Sequence, residues 1–307
     1  MTSHFWDIET LADDIERLAP GRTLPRPVVN LGSGFRSVVI RDAGGTVYRL
    51  GRTASMAKGY RYEVALLAMI RSYLPNEIPD PFLLSEPTER FPGGVLAYTS
   101  LNGRPIRRAD ADADDWEQLA TDLGHFLAAL HRIPGSVIAG LEKRPSPTGR
   151  PELEAMWADT SGALRERLEP EEMSRLERWW SDHIVAPGMD DYTAVLTHHD
   201  FWHENLLAEG EPLRLSGVLD WEHARLGDPA VDLVPLGYLG NRFAEEVMHA
   251  YKDRGGTIDE GFRARLAKHR VLREFGGIRY SVRNNDRAEL IESIEKLRRT
   301  GVTDGRF

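Results

Sequence analysis

Two short stretches decide the fold of this chain: Leu196–Leu207, LTHHDFWHENLL, and Gly217–Glu222, GVLDWE. Apolar runs flank each stretch and a Glu-Gly-Glu turn separates them, so the segment predicts a short hairpin that folds back on itself. Asn205 follows Asp200 by five residues, and Asp220 follows Asn205 by fifteen. The hairpin would therefore bring Asp220 beside the loop that carries Asp200.

The side chains of this segment fit phosphoryl transfer. Asp200 can accept a hydrogen bond from a substrate hydroxyl and aim its oxygen at a nucleotide γ-phosphorus, for a rate gain of ~10²–10⁴-fold. Asn205 and Asp220 offer the oxygen ligands that suit magnesium bound to phosphates. His198 would hold the loop by hydrogen bonding. The pattern H-x-D-x-x-x-x-N, followed by a strand that ends in Asp, favours a small-molecule kinase.

Three other interpretations use the same residues. Asp and Asn often form turns, and a lone D-x-x-x-x-N occurs by chance. His199 and His203 have the i,i+4 spacing of a two-histidine zinc site, with Glu204 adjacent, as in a zinc-dependent hydrolase. The flanking residues, however, predict strand and loop rather than helix. A catalytically inactive, kinase-like nucleotide-binding protein is the third alternative, and the presence of all three catalytic oxygens argues against it.

The spacing of apolar residues divides the chain into a β-rich first third and a helical remainder. Up to residue 101 we expect helices at 8–18 and 59–74, and strands within 27–51, at 82–84 and at 94–98. Beyond it we expect a loop at 139–151 and helices at 116–130, 164–184, 242–254, 260–282 and 287–300. The sequence thus predicts an α+β fold with a nucleotide-binding N-lobe, residues 1–101, and a helical catalytic and acceptor-binding C-lobe, residues 102–307.

The predicted N-lobe contains a second set of candidate nucleotide contacts. The segment Gly32-Ser33-Gly34 lies between two strands, where backbone N–H groups could cover phosphates. Arg49 occupies the strand position at which kinases carry a phosphate-binding lysine, and Glu63 in the next helix is placed as its partner. Arginine is a planar fork, so we expect a bidentate pair. Lys58, in a predicted loop, is a second candidate cation.

The segments 198–205, HHDFWHEN, and 219–233, LDWEHARLGDPAVDL, resemble the aminoglycoside phosphotransferase family, which has the protein-kinase-like fold. The resemblance extends over about residues 25–285. It implies Asp200 as catalytic base, Asn205 and Asp220 as Mg²⁺ ligands, and a bilobed, kinase-like architecture. His199 departs from the family pattern, which usually has glycine there, and this change could reshape the loop.

Residues 96–103, LAYTSLNG, resemble the hinge of that family, where backbone groups would pair with the purine edge. The resemblance implies nucleotide contacts at Tyr98, Ser100 and Leu101, with Leu96 and Leu101 lining the base pocket. The order of the N-lobe segments is similar to the 2''-phosphorylating aminoglycoside kinases and the macrolide kinases. Both subgroups include GTP users, so ATP and GTP both remain open as co-substrates.

The composition limits the classes of protein to which this chain can belong. Among 307 residues, 41% are hydrophobic and 28% are charged, which is typical of a soluble globular protein. A formal net charge of -9 argues against a nucleic-acid binder and is compatible with a cationic small-molecule acceptor. We expect no membrane span, because no apolar run approaches ~18 residues. The lack of cysteine and of a secretory signal favours a cytoplasmic enzyme.

Several polar residues remain without a defined role. Asp228 precedes Pro229 as in a helix N-cap, and Asp232 could brace the loop that holds Asp200. Glu222 could meet a cationic substrate at the cleft mouth. Acceptor contacts would come from the region after residue 232, and the undirected candidates are Glu245, Glu246, Arg273, Glu274, Arg279 and Tyr280. The sequence predicts neither the acceptor nor the oligomeric state.

Overall fold

A computed structural model describes residues 7–34, 36–113, 115–144, 148–184 and 191–307. Its N-terminal region is built on a β-sheet and its C-terminal region mainly on helices. This arrangement confirms the predicted α+β fold, with a smaller β-rich part and a larger helical part. The limits of the two lobes, 1–101 and 102–307, remain a prediction.

An antiparallel sheet forms the N-terminal region. Its strands are β1 Val29–Ser33, β2 Ser37–Arg41, β3 Thr46–Gly51, β4 Phe82–Ser85 and β5 Val95–Thr99, in the spatial order β1-β2-β3-β5-β4. The tight turn from β2 to β3 depends on Asp42, whose side chain accepts a 2.8 Å hydrogen bond from the Thr46 N–H. Gly45 in this turn has φ +83°, a conformation that glycine adopts without strain. These turns place Arg49 near the middle of the sheet.

Two helices accompany the sheet, α1 Ile8–Leu18 and α2 Ser55–Ile70. The first buries Leu11 and Ile15 in the apolar core of the sheet. In contrast, α2 has two buried faces, because Tyr60 packs with a sheet residue while Leu67 belongs to the core of the helical region. The helix therefore joins the two parts of the molecule, and it carries Glu63.

The predicted position of Lys58 in a loop is wrong, because α2 begins at Ser55 and includes it. The Lys58 side chain is exposed and forms an ion pair of 2.6 Å with Glu142. Its ammonium is therefore engaged on the surface, which leaves Arg49 as the stronger candidate cation.

The C-terminal region contains the helices α3 Trp116–His131, α4 Arg150–Arg165, α5 Pro170–Trp179, α6 Ala230–Leu233, α7 Asn241–Asp253, α8 Phe262–Asn284 and α9 Arg287–Arg299. The first of these packs very closely on α7. A Cβ added at Gly124 would lie 2.6 Å from the Ala250 side chain, so only glycine permits this approach. A second apolar core lies among α4, α5, α8 and α9.

Short strands between these helices include parts of the two segments quoted at the outset, residues 196–207 and 217–222. The strands are β6 Arg104–Pro105, β7 Val195–Thr197, β8 Leu206–Glu209, β9 Arg214–Val218 and β10 Arg225–Gly227. The strands β8 and β9 form the predicted hairpin, and β7 pairs with β10. Asp200 lies in the loop after β7, and Asp220 follows β9. The hairpin therefore returns the second carboxylate toward the first.

The single helix predicted at 164–184 is wrong, because the structure divides this region. Here α4 begins at Arg150, inside the predicted loop, and ends at Arg165. A new helix, α5, begins at Pro170 and continues into one π-helical turn, Trp180–Ile184. Proline lacks an N–H and fits the first position of a helix, so Pro170 forces this break. Of the described residues, no helix is both long and apolar enough to span a membrane.

Candidate active site

The loop after β7 is held by hydrogen bonds from its own histidine. His198 is buried, and its Nε2 lies 2.8 Å from the backbone oxygen of Leu219, at the end of the returning hairpin. Its Nδ1 accepts a bond from the Asp200 N–H at 3.3 Å. This pattern requires a neutral ring protonated on Nε2. His198 thus ties the Asp200 loop to the strand that precedes Asp220, which is the structural role expected of it.

Asp232 braces the same loop, as the sequence suggested. Its carboxylate is fully buried and accepts the N–H groups of His198 at 2.8 Å and His199 at 2.7 Å. It also lies 3.1 Å from Nε2 of His131. Although burial opposes ionisation, His131 and these N–H bonds lower the pKa of Asp232. Sequence reasoning missed His131, which comes from α3, 101 residues earlier.

Asp232→Ala is expected to destabilise the fold, because it leaves two buried N–H groups without an acceptor. Each unsatisfied group costs about 1–3 kcal/mol. Urea unfolding should therefore show a loss of several kcal/mol in the free energy of unfolding. Asp253→Ala, which removes an exposed carboxylate at the end of α7, is the matched control and should change little. Equal stability of the two variants would contradict the bracing role.

His199 adopts a conformation that favours glycine. Its φ is +70°, within the left-handed region. Its Nδ1 is buried and has no hydrogen-bond partner among the described residues, and burial lowers the pKa of His199 to about 3. The ring is therefore neutral. The backbone here explains why glycine is the usual residue in the family pattern, since glycine adopts this φ without a steric penalty.

Asn205 lies next to Asp200, as predicted, and Asp220 follows Leu219, whose N–H donates to the Asn205 backbone oxygen at 2.8 Å. The Asn205 Nδ2 donates to the backbone oxygen and to Oδ2 of Asp200, at 3.0 and 3.2 Å. Because Nδ2 is turned toward Asp200, the amide oxygen of Asn205 takes no part in these two hydrogen bonds. Asp220 has φ +61° and a side chain that is 37% exposed. One amide oxygen and one accessible carboxylate fit Mg²⁺, which keeps several waters and uses few protein ligands.

Arg49 lies at the centre of a group of carboxylates. Its Nη1 contacts both oxygens of Glu63, at 3.0 and 2.9 Å, and its Nη2 contacts Asp220 at 3.0 Å and Glu222 at 3.2 Å. The pairing of Arg49 with Glu63 therefore exists, but through one nitrogen instead of a two-nitrogen fork. The second nitrogen is directed to the segment that follows the returning hairpin, and this contact links the sheet to the predicted metal ligand.

The prediction that Glu222 meets a cationic substrate at the cleft mouth is wrong. The side chain is buried, and besides Arg49 it pairs with Arg36 at 3.0 Å. Burial opposes ionisation, yet hydrogen bonding to His223 and the charges of Arg49 and Arg36 lower the pKa of Glu222 to about 2. Glu222 is thus a structural counter-ion for the arginines.

A cavity of about 480 Å³ lies between the sheet and the hairpin. It is lined by many of the predicted site residues, namely Arg49, Tyr98, Ser100, Leu101, Asn205 and Asp220. The Leu101 side chain covers Gly217, where an added Cβ would lie 2.8 Å from it, so the hinge segment packs directly on the hairpin. Leu96 does not line the cavity, because it is buried with Met56 and Tyr60.

The glycine turn lies at the edge of this cavity rather than in it. Leu31, within β1, lines the cavity, whereas Gly32 and Ser33 at the end of β1 and the following Gly34 do not. The Gly32 N–H donates to Asn30 and the Gly34 N–H to the Ser37 backbone, both at 2.9 Å. Those two donors are therefore already used inside the hairpin.

A second cavity, of about 150 Å³, borders the Asp200 loop at His199. It is lined by Thr148, Leu153, Met156, His199, Val231, Val234, His269, Leu272 and Arg273. The Arg273 guanidinium lies 4.5 Å from the centre of the Trp202 ring. Of the six residues named from the sequence as possible acceptor contacts, Arg273 lines this cavity. Two others are in ion pairs, Glu245 with Arg263 and Arg279 with Asp159.

The proposed zinc geometry is not present in the described residues. His199 lies in the loop and His203 begins a single 3₁₀ turn, so the two rings do not share a helix face. His203 Nδ1 lies 2.9 Å from the backbone oxygen of Ile106. No group of three metal-binding side chains of the types His, Cys, Asp and Glu occurs among the residues that the structure describes.

The buried Glu274 predicts how the free energy of unfolding depends on pH. Burial raises the pKa of Glu274 to about 7 from 4.5, and its side chain accepts a hydrogen bond from the Tyr238 hydroxyl. Between these pH values the folded state keeps a proton that the unfolded chain loses, so the free energy of unfolding falls as the pH rises. We expect Glu274→Gln to match the wild type near pH 4.5. Near pH 8 it should be about 2 kcal/mol more stable in denaturant titrations.

The exposed Glu260 provides the control for this experiment. Glu260→Gln should follow the wild type at both pH values. A Glu274→Gln variant that is no more stable than the wild type at the higher pH would contradict the raised pKa.

Comparison with known proteins identifies the family of this chain. A profile of the phosphotransferase enzyme family matches residues 28–268. Viomycin phosphotransferase from Streptomyces vinaceus is 29% identical over 301 residues, which cover 95% of this chain and 99% of that protein. The fold is similar to a GDP complex of aminoglycoside 2'-phosphotransferase-IIIa, with a TM-score of 0.82 and 20% identity over 98% of this chain and 100% of that one.

A second solved structure, the apoenzyme of macrolide 2'-phosphotransferase MphH from Brachybacterium faecium, is also similar. It is 25% identical, with a TM-score of 0.67, over 94% of this chain and 98% of that one. The family profile covers well over half of the chain and includes the Asp200 loop, the returning hairpin and all five strands of the N-terminal sheet. This chain therefore belongs to the phosphotransferase enzyme family, with the kinase-like fold of the aminoglycoside and macrolide phosphotransferases.

Proposed function

We propose that this enzyme transfers the γ-phosphate of ATP or GTP to a hydroxyl group of a small molecule, either an aminoglycoside-like or macrolide antibiotic or a related metabolite. One observation carries this proposal. The Asn205 amide is hydrogen bonded to Asp200, while Asn205 and Asp220 line the same cavity as Arg49 and Leu101. The proposed base, metal ligands and nucleotide contacts therefore lie together in the fold.

In this proposal Asp200 orients the acceptor hydroxyl and takes its proton late in the reaction. Asn205 and Asp220 would hold Mg²⁺, which supplies charge neutralisation at the β- and γ-phosphates. Arg49, held by Glu63, contacts the α- and β-phosphates. Asp220 accepts from Arg49 at 3.0 Å, so the metal ligand and the phosphate cation are fixed relative to each other.

The remaining nucleotide contacts come from the hinge and the glycine turn. Tyr98, Ser100 and Leu101 line the cavity where a purine would lie. Their side chains do not distinguish adenine from guanine. We propose that the turn containing Gly32, Ser33 and Gly34 covers the phosphates, which would require the internal bonds of Gly32 and Gly34 to open. A cysteine-free chain is consistent with our placement of the enzyme in the cytoplasm.

The known relatives support this proposal without fixing its details. The viomycin phosphotransferase is named for an antibiotic, and the solved aminoglycoside enzyme contains GDP. Both names agree with a nucleotide co-substrate and a small-molecule acceptor. The presence of Asp200, Asn205 and Asp220 argues against the alternative of an inactive nucleotide-binding protein.

A thermal-shift panel of antibiotics and amino sugars, each with Mg²⁺ and either ATP or GTP, tests the proposed function. Mass spectrometry of the stabilising mixtures should detect a phosphorylated acceptor and the nucleoside diphosphate. Nucleotide binding without any phosphorylated product across the panel would favour the inactive alternative. Failure to bind either nucleotide in the presence of Mg²⁺ would refute the proposal.

A further inference from the structure

Residues of the Asp200 loop border two cavities, one through Glu204 and Asn205 and the other through His199. The nucleotide-side cavity contains Asn205 and Asp220, and the second cavity contains His199 and Arg273. None of the residues that the structure describes lines both cavities. In phosphoryl transfer the attacking and leaving oxygens lie roughly in line across the phosphorus. If the nucleotide occupies the first cavity, the acceptor needs a separate site near Asp200, and the second cavity, which the adjacent His199 lines, is the candidate.

The lining of the second cavity does not suit a polyamine, because it is mostly apolar and includes a cation. Most of its walls are apolar, from Leu153, Met156, Val231 and Leu272. Its remaining members include histidines and Arg273, and none of the described lining residues carries a carboxylate. Ammonium groups on an acceptor would therefore face a cation here, with no acidic side chain of the lining to pair with.

Arg273 is held in place by aromatic rings. Its guanidinium lies over Trp202 at 4.5 Å and near Tyr238 at 5.8 Å, and these two rings contact each other edge to face at 5.0 Å. Trp202 also contacts the proposed catalytic residue through the backbone, because the Trp202 backbone N–H donates to the Asp200 backbone oxygen at 2.7 Å. Stacking on aromatic faces orients a guanidinium while leaving its edge N–H groups for another partner.

The charge of Arg273 is not paired with a carboxylate of the described chain. No carboxylate hydrogen bond or ion pair of Arg273 occurs within the described part of the chain. Burial lowers the pKa of Arg273, and the negative charge of Asp200 opposes that shift. Neighbouring arginines of α8 differ, since Arg265 pairs with Asp228 and Asp259, both at 2.8 Å. A half-buried arginine beside the catalytic base thus keeps its donors for a ligand.

We propose that Arg273 selects an acceptor that carries a carboxylate near the hydroxyl to be phosphorylated, on an otherwise apolar body. This inference rests on the proposed kinase function and narrows its acceptor class toward an anionic metabolite, away from polycationic aminoglycosides. Arg273 is a specificity-determining residue in this scheme. Its N–H fork would bind the carboxylate, and the apolar walls would receive the rest of the molecule.

The experiment uses matched pairs of acceptors that differ only in charge. Mandelate and phenyllactate are compared with their amides and with kanamycin, each with Mg²⁺ and ATP or GTP, and phosphorylated product is measured by mass spectrometry. We expect wild-type kcat/KM to be about ten- to hundredfold higher for the hydroxy acids, the range of one charged hydrogen bond. Kanamycin should be no better than the amides.

Variants of the full-length enzyme separate binding from chemistry. Arg273→Gln should raise the KM of the hydroxy acids by about ten- to hundredfold and leave the Kd of the Mg²⁺-nucleotide unchanged. Arg273→Lys should retain part of the discrimination, because it keeps the charge but loses the planar fork. Arg270→Gln removes an exposed cation one turn earlier on α8 and should behave as the wild type.

The failures of the two proposals are distinguishable. Equal turnover of acids and amides, a preference for kanamycin, or no turnover of the hydroxy acids beside normal nucleotide binding would overturn the role of Arg273 alone. A fall in kcat of Arg273→Gln with unchanged KM would also overturn it, by assigning the cation to the transferred phosphoryl group. Loss of all Mg²⁺-dependent nucleotide binding in the wild type would instead refute the kinase function.

Discussion

Asp200→Ala is expected to reduce kcat by about 10²–10⁴-fold, the contribution of a positioned general base. The Kd of the Mg²⁺-nucleotide should change little, because Asn205, Asp220 and Arg49 remain on the nucleotide side of the loop. Asp200→Asn should lose activity to a similar extent, since it can still accept from Asn205 but cannot take the proton. Steady-state rates and nucleotide titration calorimetry measure the two effects separately.

Glu209→Gln is the matched control for Asp200, because it neutralises an exposed carboxylate on β8 of the same hairpin. It should keep wild-type kinetics. If either Asp200 variant turned over acceptor at the wild-type rate, its assignment as base would have to be abandoned. If both lost nucleotide binding as well, Asp200 would be a structural or metal-binding residue.

Arg49→Met should have the second largest effect, on stability and activity together. The change leaves the buried Glu63 carboxylate without its cation, and breaking a buried ion pair costs about 3–5 kcal/mol. It also removes the link from the sheet to Asp220 and the proposed phosphate contact. We expect a fall of that size in the free energy of unfolding, together with a raised nucleotide Kd and very low kcat.

A double variant distinguishes the structural from the chemical role of Arg49. Arg49→Met combined with Glu63→Leu removes both buried charges, so much of the stability should return while activity stays lost. Glu222 keeps Arg36 as partner at 3.0 Å, and Asp220 is partly solvated. Arg165→Met, which breaks an exposed pair with Glu177, should change neither property. Recovery of activity in the double variant would contradict the phosphate role.

The hairpin that follows Asp200 and Asn205 and leads to Asp220 was predictable because its sequence signals are local. The spacing of Asp200, Asn205 and Asp220 is short enough that one hairpin fixes their arrangement, and turn residues mark that hairpin in the sequence. The alternation of β-branched runs and turns likewise gave the sheet. These features depend on neighbours within about twenty residues, for which sequence patterns are informative.

The contacts that hold the loop were not predictable in the same way. His131 and Asp232 meet across 101 residues, and Arg49 reaches Glu222 across 173. No local pattern distinguishes a histidine on a helix face that will find a buried carboxylate from one that packs in a core. The burial of Glu222 follows from the meeting of the sheet with the hairpin, so its exposure was wrongly predicted.

The break between α4 and α5 shows a different limit. Leu164, Leu168 and Leu176 continue a helical spacing across Glu169-Pro170, and the apolar period alone favours one helix. The structure ends α4 at Arg165 because Pro170 begins a new helix whose Glu169 cap bonds to Glu172 at 3.0 Å. A proline signal was present in the sequence and outweighs the apolar spacing.

The most direct measurement of the central arrangement is anomalous diffraction from crystals grown with Mn²⁺, in place of Mg²⁺, and a nonhydrolysable ATP or GTP analogue. We predict a manganese peak within about 2.5 Å of the Asn205 amide oxygen and an Asp220 carboxylate oxygen, with the γ-phosphate facing Asp200. A nucleotide bound outside the cavity that contains Arg49 and Leu101, or a metal held by other side chains, would contradict the proposed site.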